Sequence, residues 1–231
     1  MLARQVRLLY DKKPMPTSLR KTCAFVFAST RLMMSFSGRS ILRATAIALL
    51  TGLSVCAGAA PIGAPAAAFS LKDIRGNRAS YSPHDGRITV IVFISTRCPM
   101  SNAFNARINS LYTEFSRRGV KFLVVNSNAD ESLDEVRHHA ERMEYDFPVY
   151  KDENNVIADL FGAIATPDSV VLDEKGMVRY HGIIEDGANP QRSTKRPLRS
   201  ALEAVIEHRD VPEPVTHGRG CAIRRVKPLI H

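Results

Sequence analysis

The run at residues 88–95 constrains the fold more than any other feature of the sequence. Six of its eight residues are Ile, Val or Phe, and no charged residue interrupts them. A short, continuously apolar run of β-branched and aromatic residues is typical of a strand that is buried on both faces of its sheet. Because helices must cover both faces of such a sheet, the run predicts an α/β fold.

Strand and helix patterns alternate along the chain after residue 66. The order of these patterns predicts one α/β domain with a central mixed β-sheet flanked by helices. This domain is predicted at residues 69–209, after a linker at 60–68 and before a tail at 210–231 that carries Cys221. The further strands are predicted at residues 69–74, 78–81, 120–126, 147–150, 169–173 and 177–182, and the helices at 99–119, 132–143, 156–161 and 198–208.

The net charge of +9 is concentrated at the start of the chain. Residues 1–56 carry nine Lys or Arg and one acidic residue, whereas residues 57–231 carry 23 Lys or Arg and 22 Asp or Glu. A nucleic-acid backbone is bound by a strongly basic surface, and the body of this chain is almost neutral. We therefore expect no nucleic-acid partner.

Residues 1–59 have the pattern of a targeting leader. Arg39 and Arg43 precede an uncharged run at residues 44–55, and small residues follow, with a cleavage site after Ala59. A basic segment, a short apolar segment and a small-residue site are typical of a secretory signal peptide. The apolar run is too short for a stable membrane span, so we expect an exported, periplasmic protein.

The long stretch before the apolar run is unusual for a signal peptide. It suggests that translation starts at Met33 or Met34 and that residues 1–32 are an over-extension. A mitochondrial transit peptide is one alternative, because the leader is rich in Arg and Ser and poor in acids. A lipoprotein signal ending at Cys56 is another.

Cys98 is the main candidate for a chemical role because of its position. It directly follows the predicted central strand, and Pro99 favours the first position of a helix. The free N–H groups at a helix N-terminus stabilise an anion, so a cysteine there has a lowered pKa and reacts as the thiolate. Ser101 is placed to donate a hydrogen bond to the sulfur, and Arg97 adds positive charge if it turns toward the sulfur.

The segment at residues 98–101, Cys-Pro-Met-Ser between a strand and a helix, and Thr166-Pro167 before a hairpin resemble the thioredoxin-like redoxins of the AhpC/TSA (peroxiredoxin-like) family. The resemblance covers residues 66–208 and implies a thioredoxin-like fold. It also implies that Cys98 is the reactive thiol and that a cis Pro167 faces it. The backbone of Thr166 would bind a partner chain, and Pro99 completes the expected substrate-binding set.

Departures from the family pattern leave the substrate open. Peroxiredoxins carry Pro-x-x-x-Thr-x-x-Cys around the reactive thiol, whereas Thr96 lies two residues before Cys98 and the Pro is missing. Their peroxide-stabilising Arg has no counterpart at the Thr166-Pro167 position. Thioredoxins have a second Cys where this chain has Ser101. Thr96 stays a candidate catalytic residue, and both peroxide reduction and thiol-disulfide exchange are retained.

Cys221 is the second candidate catalytic cysteine. Cys23 and Cys56 belong to the leader, so the exported chain keeps Cys98 and Cys221, an even pair that favours a disulfide in an oxidising compartment. The resembling exported redoxins also carry a Gly-Cys-x-Ile tail, which supports this pairing. A resolving Cys221 would attack a sulfenic acid or a mixed disulfide on Cys98.

We therefore expect a thiol-dependent oxidoreductase that needs no cofactor and exchanges electrons with a redox partner protein, a small thiol or a peroxide. The alternative is a non-catalytic thioredoxin-fold module with a structural Cys98–Cys221 disulfide or a soft-metal (copper) role. His217 and the two cysteines lack the tight spacing of metal ligands, so no metal site is expected. His138 and His139 lie on a polar helix and are expected to be solvated.

Overall fold

The computed structural model describes residues 59–226. The predictions made for residues 1–58, including the signal peptide and the start at Met33 or Met34, lie outside the described residues, as do residues 227–231. Within the described range, the helices are all too short or too polar to cross a membrane.

A seven-stranded mixed sheet forms the centre of the described chain, which confirms the predicted architecture. Its spatial order is β2-β1-β5-β4-β3-β7-β8, with β3, β4 and β5 parallel and the other neighbouring pairs antiparallel. The strands are β1 (Phe69–Asp73), β2 (Arg78–Tyr81), β3 (Thr89–Ile94), β4 (Lys121–Asn126), β5 (Val149–Lys151), β6 (Ala165–Thr166), β7 (Asp168–Leu172), β8 (Val178–Gly182) and β9 (Cys221–Ala222). The short strands β6 and β9 form a separate antiparallel pair.

Helices cover both faces of the sheet. They are α1 (Pro99–Asn102), α2 (Asn105–Ser116), α3 (Leu133–Arg142), α4 (Val156–Phe161) and α5 (Pro197–Ile206). One core cluster joins α2, α3 and α5 to one face of the sheet, and a second joins α4 to the other face. Successive residues of β3 enter opposite clusters, which is why the whole strand is buried and its sequence is continuously apolar.

The helix predicted from residue 99 to 119 is divided into α1 and α2. Phe104 has φ −98° and ψ −6°, outside the regular helical values, and it caps the start of α2. Its side chain is buried in the first core cluster. The apolar spacing of α2 was visible in the sequence, but the break at Phe104 carries no Pro or Gly that could have marked it.

The segments on either side of the predicted domain are packed against it. Ala60, Gly63 and Ala66 donate backbone hydrogen bonds to Leu160, Val178 and Gly176 respectively, so the predicted linker lies on the body of the protein. In the tail, β9 pairs with β6, and Ile223 is buried in the second core cluster. The described part of the tail is therefore integrated with the fold, and the boundaries at 60, 69 and 210 stay predictions.

We predict that Ile223→Ala lowers the free energy of unfolding by about 2–5 kcal/mol, because it leaves a cavity where the tail enters the core. Ile223 is 6% exposed. Ile164→Ala is the matched control: this residue precedes the paired strand β6 but is 75% exposed, so its loss should cost less than about 0.5 kcal/mol. Urea unfolding followed by circular dichroism measures both. Equal effects would mean that the tail does not contribute to the core.

Candidate active site

The two cysteines of the described chain form a disulfide. Cys98 and Cys221 are 123 residues apart in sequence, and their Cα atoms lie 5.9 Å apart. Cys98 is only 2% exposed, whereas Cys221 is partly exposed on the short strand β9. The expected pairing is thus present, while the chemical roles of the two sulfurs stay predictions.

Cys98 caps the start of α1. The strand β3 ends at Ile94, and Pro99 occupies the first helical position, so the chain turns from strand to helix at the cysteine. The backbone N–H of Ser101 donates to Cys98 Sγ over 3.3 Å. A free thiolate in this position would be stabilised by the same N–H group, which lowers the free energy of the charged form.

The Ser101 hydroxyl has a different partner from the one expected. Ser101 Oγ accepts a hydrogen bond from the backbone N–H of Ser95 over 3.0 Å, so this side chain braces the turn before Cys98. In this disulfide form, the contact from Ser101 to the sulfur comes from its backbone.

Arg97 points away from the sulfur. Its Nε lies 2.7 Å from Glu135 Oε1 and its Nη2 lies 2.6 Å from Glu135 Oε2, a bidentate pair. This hydrogen-bonded arginine holds the pKa of Glu135 below its usual range. The condition under which Arg97 would add positive charge at the sulfur is therefore not met, and its charge is directed to α3.

Thr96 also binds acidic side chains. Its N–H donates to Glu131 Oε2 over 2.8 Å, and its hydroxyl donates to Glu135 Oε1 over 2.8 Å. Thr96 thus fixes the loop before Cys98, and its hydroxyl is engaged away from the sulfur.

The Thr166-Pro167 peptide bond is cis and lies beside the disulfide, as the resemblance implied. Cys98 Sγ is 3.5 Å from the carbonyl oxygen of Thr166. Thr166 pairs with Cys221 across the β6–β9 ladder, so the two strands bring the second sulfur to the first. The Thr166 hydroxyl is buried and has no hydrogen-bond partner among residues 59–226.

Glu131 organises the active-site loop and was missed in the sequence. Its carboxylate is 3% exposed and accepts hydrogen bonds from the Ser95 hydroxyl, the Thr96 N–H and the Asn126 amide. The Ser95 oxygen in turn accepts from the N–H of Cys98 over 3.1 Å. One buried carboxylate thus positions the backbone of Cys98. An acidic residue in a polar loop gives no sequence signal that distinguishes it from a solvated one.

The same loop holds the tail beyond Cys221. Asn128 Oδ1 accepts from the N–H of Arg224 over 2.9 Å, and the N–H of Ala129 donates to the carbonyl of Arg224 over 2.9 Å. Asn155 Oδ1 accepts from the N–H of Val226 over 2.8 Å. Side chains and backbone on two loops therefore fix the chain directly after the second cysteine, in a pattern that spacing alone could not reveal.

The three histidines singled out in the sequence lie in different surroundings. His139 is buried and its Nε2 lies 3.1 Å from Asn102 Oδ1, so the expectation that it is solvated was wrong; burial lowers its pKa. His138 is exposed. His217, the weak metal candidate, is exposed on the tail, and residues 59–226 contain no cluster of three or more His, Cys, Asp or Glu that could hold a metal ion.

His181 and Asp168 form a hydrogen-bonded pair beside the tail. His181 Nε2 lies 2.8 Å from Asp168 Oδ2, and this hydrogen bond raises the pKa of His181. Asp168 directly follows Pro167, and the backbone of His181 binds Pro214 and Thr216. The pair therefore connects the loop of the cis proline to the segment that leads to Cys221.

Comparison with known proteins identifies the class of fold. The sequence model of the AhpC/TSA family matches residues 62–181. Two curated relatives are the thiol-disulfide oxidoreductase ResA of Halalkalibacterium halodurans, 27% identical over 52% of this chain and 67% of the relative, and the thioredoxin-like protein YneN of Bacillus subtilis, 26% identical over 48% and 65%. The matched region thus spans about two thirds, or slightly less, of the relatives' length.

Solved structures confirm the thioredoxin-like fold. An uncharacterized conserved protein from Geobacillus kaustophilus is 30% identical with a TM-score of 0.64, covering 73% of this chain and 93% of that one. A hypothetical protein from Sinorhizobium meliloti is 28% identical with a TM-score of 0.65, covering 72% and 95%. A putative thiol:disulfide interchange protein DsbE from Chlorobium tepidum shares the fold at 20% identity, with a TM-score of 0.55 over 64% and 99%.

We predict that Glu131→Ala lowers the free energy of unfolding by at least about 2 kcal/mol, because it leaves buried donors of the active-site loop without an acceptor. Glu114→Ala is the matched control and should cost at most about 1 kcal/mol, since its pair with Arg199 lies at the surface. Denaturant unfolding measures both. A cost for Glu131→Ala no larger than that of the control would contradict its role in the loop.

We predict that the His181–Asp168 pair stabilises the fold at low pH and loses this contribution as pH rises. Because the pKa of His181 is raised above its value of about 6.5 in the unfolded chain, the contribution is complete below about pH 6.5 and disappears above the pKa of the folded state. The difference in free energy of unfolding between wild type and Asp168→Asn, measured from pH 5.5 to 9, should shrink with increasing pH. A pH-independent difference would exclude the imidazolium as the stabilising group.

Proposed function

Because this chain belongs to the AhpC/TSA family, we propose that it is a thiol-disulfide oxidoreductase in which Cys98 attacks and Cys221 resolves. The thiol-disulfide oxidoreductases among the curated relatives support this reaction class. The observation that carries the proposal is the Cys98–Cys221 disulfide, with one sulfur at the start of α1 and beside the carbonyl of Thr166.

The proposed reaction has two exchange steps. The Cys98 thiolate attacks a substrate disulfide RS–SR, forming Cys98–S–SR and releasing one RS⁻. The Cys221 thiolate then attacks the Cys98 sulfur, forming the intramolecular disulfide and releasing the second RS⁻. The substrate gains two electrons and the protein dithiol loses them, so no cofactor is required. An external dithiol, or two thiols, returns the protein to its reduced form.

Each candidate residue has a proposed part in this cycle. The N–H of Ser101 stabilises the Cys98 thiolate, both as attacking group and as leaving group when the disulfide is reduced. Pro99 starts the helix that presents this N–H. Thr96 positions the loop through two acidic side chains. Thr166 and Pro167 form the wall of the site against which the incoming group is placed.

Disulfide exchange is favoured over peroxide reduction by the contacts of Thr96. The Thr96 hydroxyl donates to Glu135, so it is not directed at an oxygen atom bound near the sulfur. Arg97, the basic residue next to Cys98, is likewise bound by Glu135. A hydroperoxide remains the second substrate class, since a sulfenic acid on Cys98 would be resolved by Cys221 in the same way.

We further propose that the protein is exported to the bacterial envelope and works there with a thiol or dithiol reductant. An oxidising compartment maintains the disulfide, and the leader pattern supports export rather than the mitochondrial alternative. Sequencing the N-terminus of the protein isolated from an envelope fraction tests this. A mature chain that still contains residues 1–32 would contradict both export by this signal and the start at Met33 or Met34.

We predict that Cys221→Ser stops the reaction at the mixed disulfide, because the first exchange proceeds but no internal thiol resolves it. After reaction of the reduced variant with oxidised glutathione, mass spectrometry should find one glutathione attached to Cys98. Wild type should instead lose two thiols and release both halves of the substrate.

Cys98→Ser is the control for this trapping experiment. It keeps Cys221 but lacks the thiolate at the start of α1, so it should react at about the rate of an ordinary exposed thiol at pH 7. If Cys98→Ser reacts as fast as wild type, or if dithiothreitol cannot reduce the native disulfide, the protein is the non-catalytic module with a structural cross-link.

A further inference from the structure

The structure shows how a polypeptide reaches Cys98, because the tail itself is a polypeptide bonded to that sulfur. The residues Cys221–Ala222 form β9, which pairs antiparallel with β6: Thr166 is opposite Cys221, and Ala165 is opposite Ala222. The ladder continues where the N–H of Ile223 donates to the carbonyl of Ile164 over 2.9 Å. A chain with its cysteine on Cys98 in this geometry therefore occupies the edge of β6.

The tail lies so close to β6 that no second chain fits between them. A Cβ atom added to Gly220 would lie 2.5 Å from the carbonyl oxygen of Thr166, well inside van der Waals contact. A Cβ on Gly218 would lie 2.2 Å from a side-chain carbon of Ile183. Gly220 therefore cannot carry a side chain while the tail passes Thr166, and a side chain at Gly218 would require Ile183 to move.

The tail is anchored on both sides of Cys221 by contacts that do not involve the disulfide. Before the cysteine, Thr216 Oγ1 accepts from the N–H of Ile183 over 3.0 Å and lies 2.6 Å from Tyr180 Oη. After the cysteine, Ile223 is buried and Arg224 is bound through Asn128 and Ala129. None of these contacts depends on the sulfur–sulfur bond, so reduction of that bond leaves the groups that hold β9 on the edge of β6 in place.

We infer that this permanently docked tail excludes polypeptide disulfides from Cys98 and restricts its oxidising substrate to a small molecule with an S–S or O–O bond. The inference rests on the proposed function and names its substrate class. The tail supplies the resolving thiol and at the same time occupies the backbone edge that a protein substrate would need.

A cavity beside the site has the size for such a substrate. It has a volume of about 310 Å³, at the lower end of the range for small-molecule sites. Its lining includes Met100, Phe104, Pro167, Ile183, Gly218 and Arg219. Met100 is two residues from Cys98 and Pro167 follows Thr166, while Gly218 and Arg219 belong to the tail. The docked tail thus shapes this cavity instead of filling it.

The two substrate sources give balanced reactions with the same product. A small disulfide RS–SR accepts two electrons and leaves as two thiols, with the protein dithiol converted to the Cys98–Cys221 disulfide. A hydroperoxide ROOH transfers one oxygen to the Cys98 thiolate and leaves as ROH; the Cys221 thiol then forms the disulfide with loss of water. In both cases an external dithiol restores the reduced protein.

The test compares substrates of different size on the reduced protein. The rate at which the Cys98–Cys221 disulfide forms is measured with oxidised glutathione, hydrogen peroxide and insulin. A faster reaction with oxidised glutathione identifies the substrate as a small disulfide, and a faster reaction with hydrogen peroxide identifies it as a hydroperoxide. We expect at least one small substrate to react about 100-fold or more faster than insulin in wild type. If insulin oxidises the reduced protein about as fast as the small substrates do, the inference is wrong but the proposed function stands. If Cys98 reacts with none of the substrates, the proposed function is wrong as well.

Two variants release the tail without changing a cysteine. Asn128→Ala removes the side-chain acceptor that binds Arg224, and Gly220→Ala forces β9 away from Thr166. Each should raise the insulin rate about tenfold by populating an open edge. Neither should raise the small-substrate rate, because a displaced Cys221 resolves Cys98 no faster than a docked one. Asn77→Ala, in the exposed turn between β1 and β2 of the large sheet, removes a side-chain bond to Asp73 that has no part in the β6–β9 pair; it is the control and should change neither rate.

Amide hydrogen exchange on the reduced wild type reports directly whether the tail is docked. The amides of Ile223 and Arg224 should be protected, and they should lose protection in Asn128→Ala. Unprotected amides in reduced wild type would overturn the inference. The inference would also be overturned if the tail amides of the variants exchange rapidly but insulin oxidises the variants no faster than it oxidises wild type.

Discussion

The loop at residues 126–131 holds both cysteine segments, and the geometry of the site depends on it. On one side, the Glu131 carboxylate binds the Ser95 hydroxyl and the Thr96 N–H, which set the backbone of Cys98. On the other side, Asn128 and Ala129 bind Arg224, three residues after Cys221. The two sulfurs are thus aligned by hydrogen bonds to a common support as well as by their own covalent bond.

The side chains of Asn126, Ser127, Asn128 and Glu131 in this loop are polar and buried, so their arrangement is stable only while they stay hydrogen-bonded. Burial lowers the pKa of Lys151, whose amino group donates to Asn126 and Asn128, and raises the pKa of Asp152, which accepts from Ser127, Ile157 and Ala158. Removing one partner leaves another buried group without a hydrogen bond, which costs more than the bond itself contributed. Such a network favours one arrangement of the loop over alternatives that an apolar core would tolerate.

Much of the fold could be predicted because its signals are local. The run that forms β3 is continuously apolar because both faces of that strand are buried. The apolar residues of α2 recur at helical spacing because only one face of that helix is buried. The position of Cys98 between strand and helix could be predicted for the same reason, and the family resemblance added the cis Pro167 and the pairing with Cys221.

The features missed in the sequence depend on contacts between distant residues. In the sequence, Glu131 and Asn128 look like ordinary loop residues. In the fold they follow β4, and their side chains bind Ser95 before Cys98 and Arg224 after Cys221. Arg97 was expected to act on the sulfur only if it turned toward it, but Glu135 binds its guanidinium instead. Ser101 was expected to contact the sulfur through its hydroxyl, whereas its N–H makes that contact and its hydroxyl oxygen accepts from the Ser95 amide. The strand β9 is two residues long and has no pattern of its own; its conformation is imposed by β6 and by the burial of Ile223.

The disulfide also has a topological consequence. It joins residues 98 and 221, so the covalent ring encloses every helix and all the strands that the structure describes except β1, β2 and β3. In the chain-entropy account, closing a ring of that length restricts the unfolded chain and stabilises the fold by about 4–5 kcal/mol. Each turnover of the proposed cycle would therefore open and close a cross-link around most of the molecule. The oxidised and reduced forms would then share one fold but differ widely in resistance to unfolding, with the reduced form the more exposed to proteolysis.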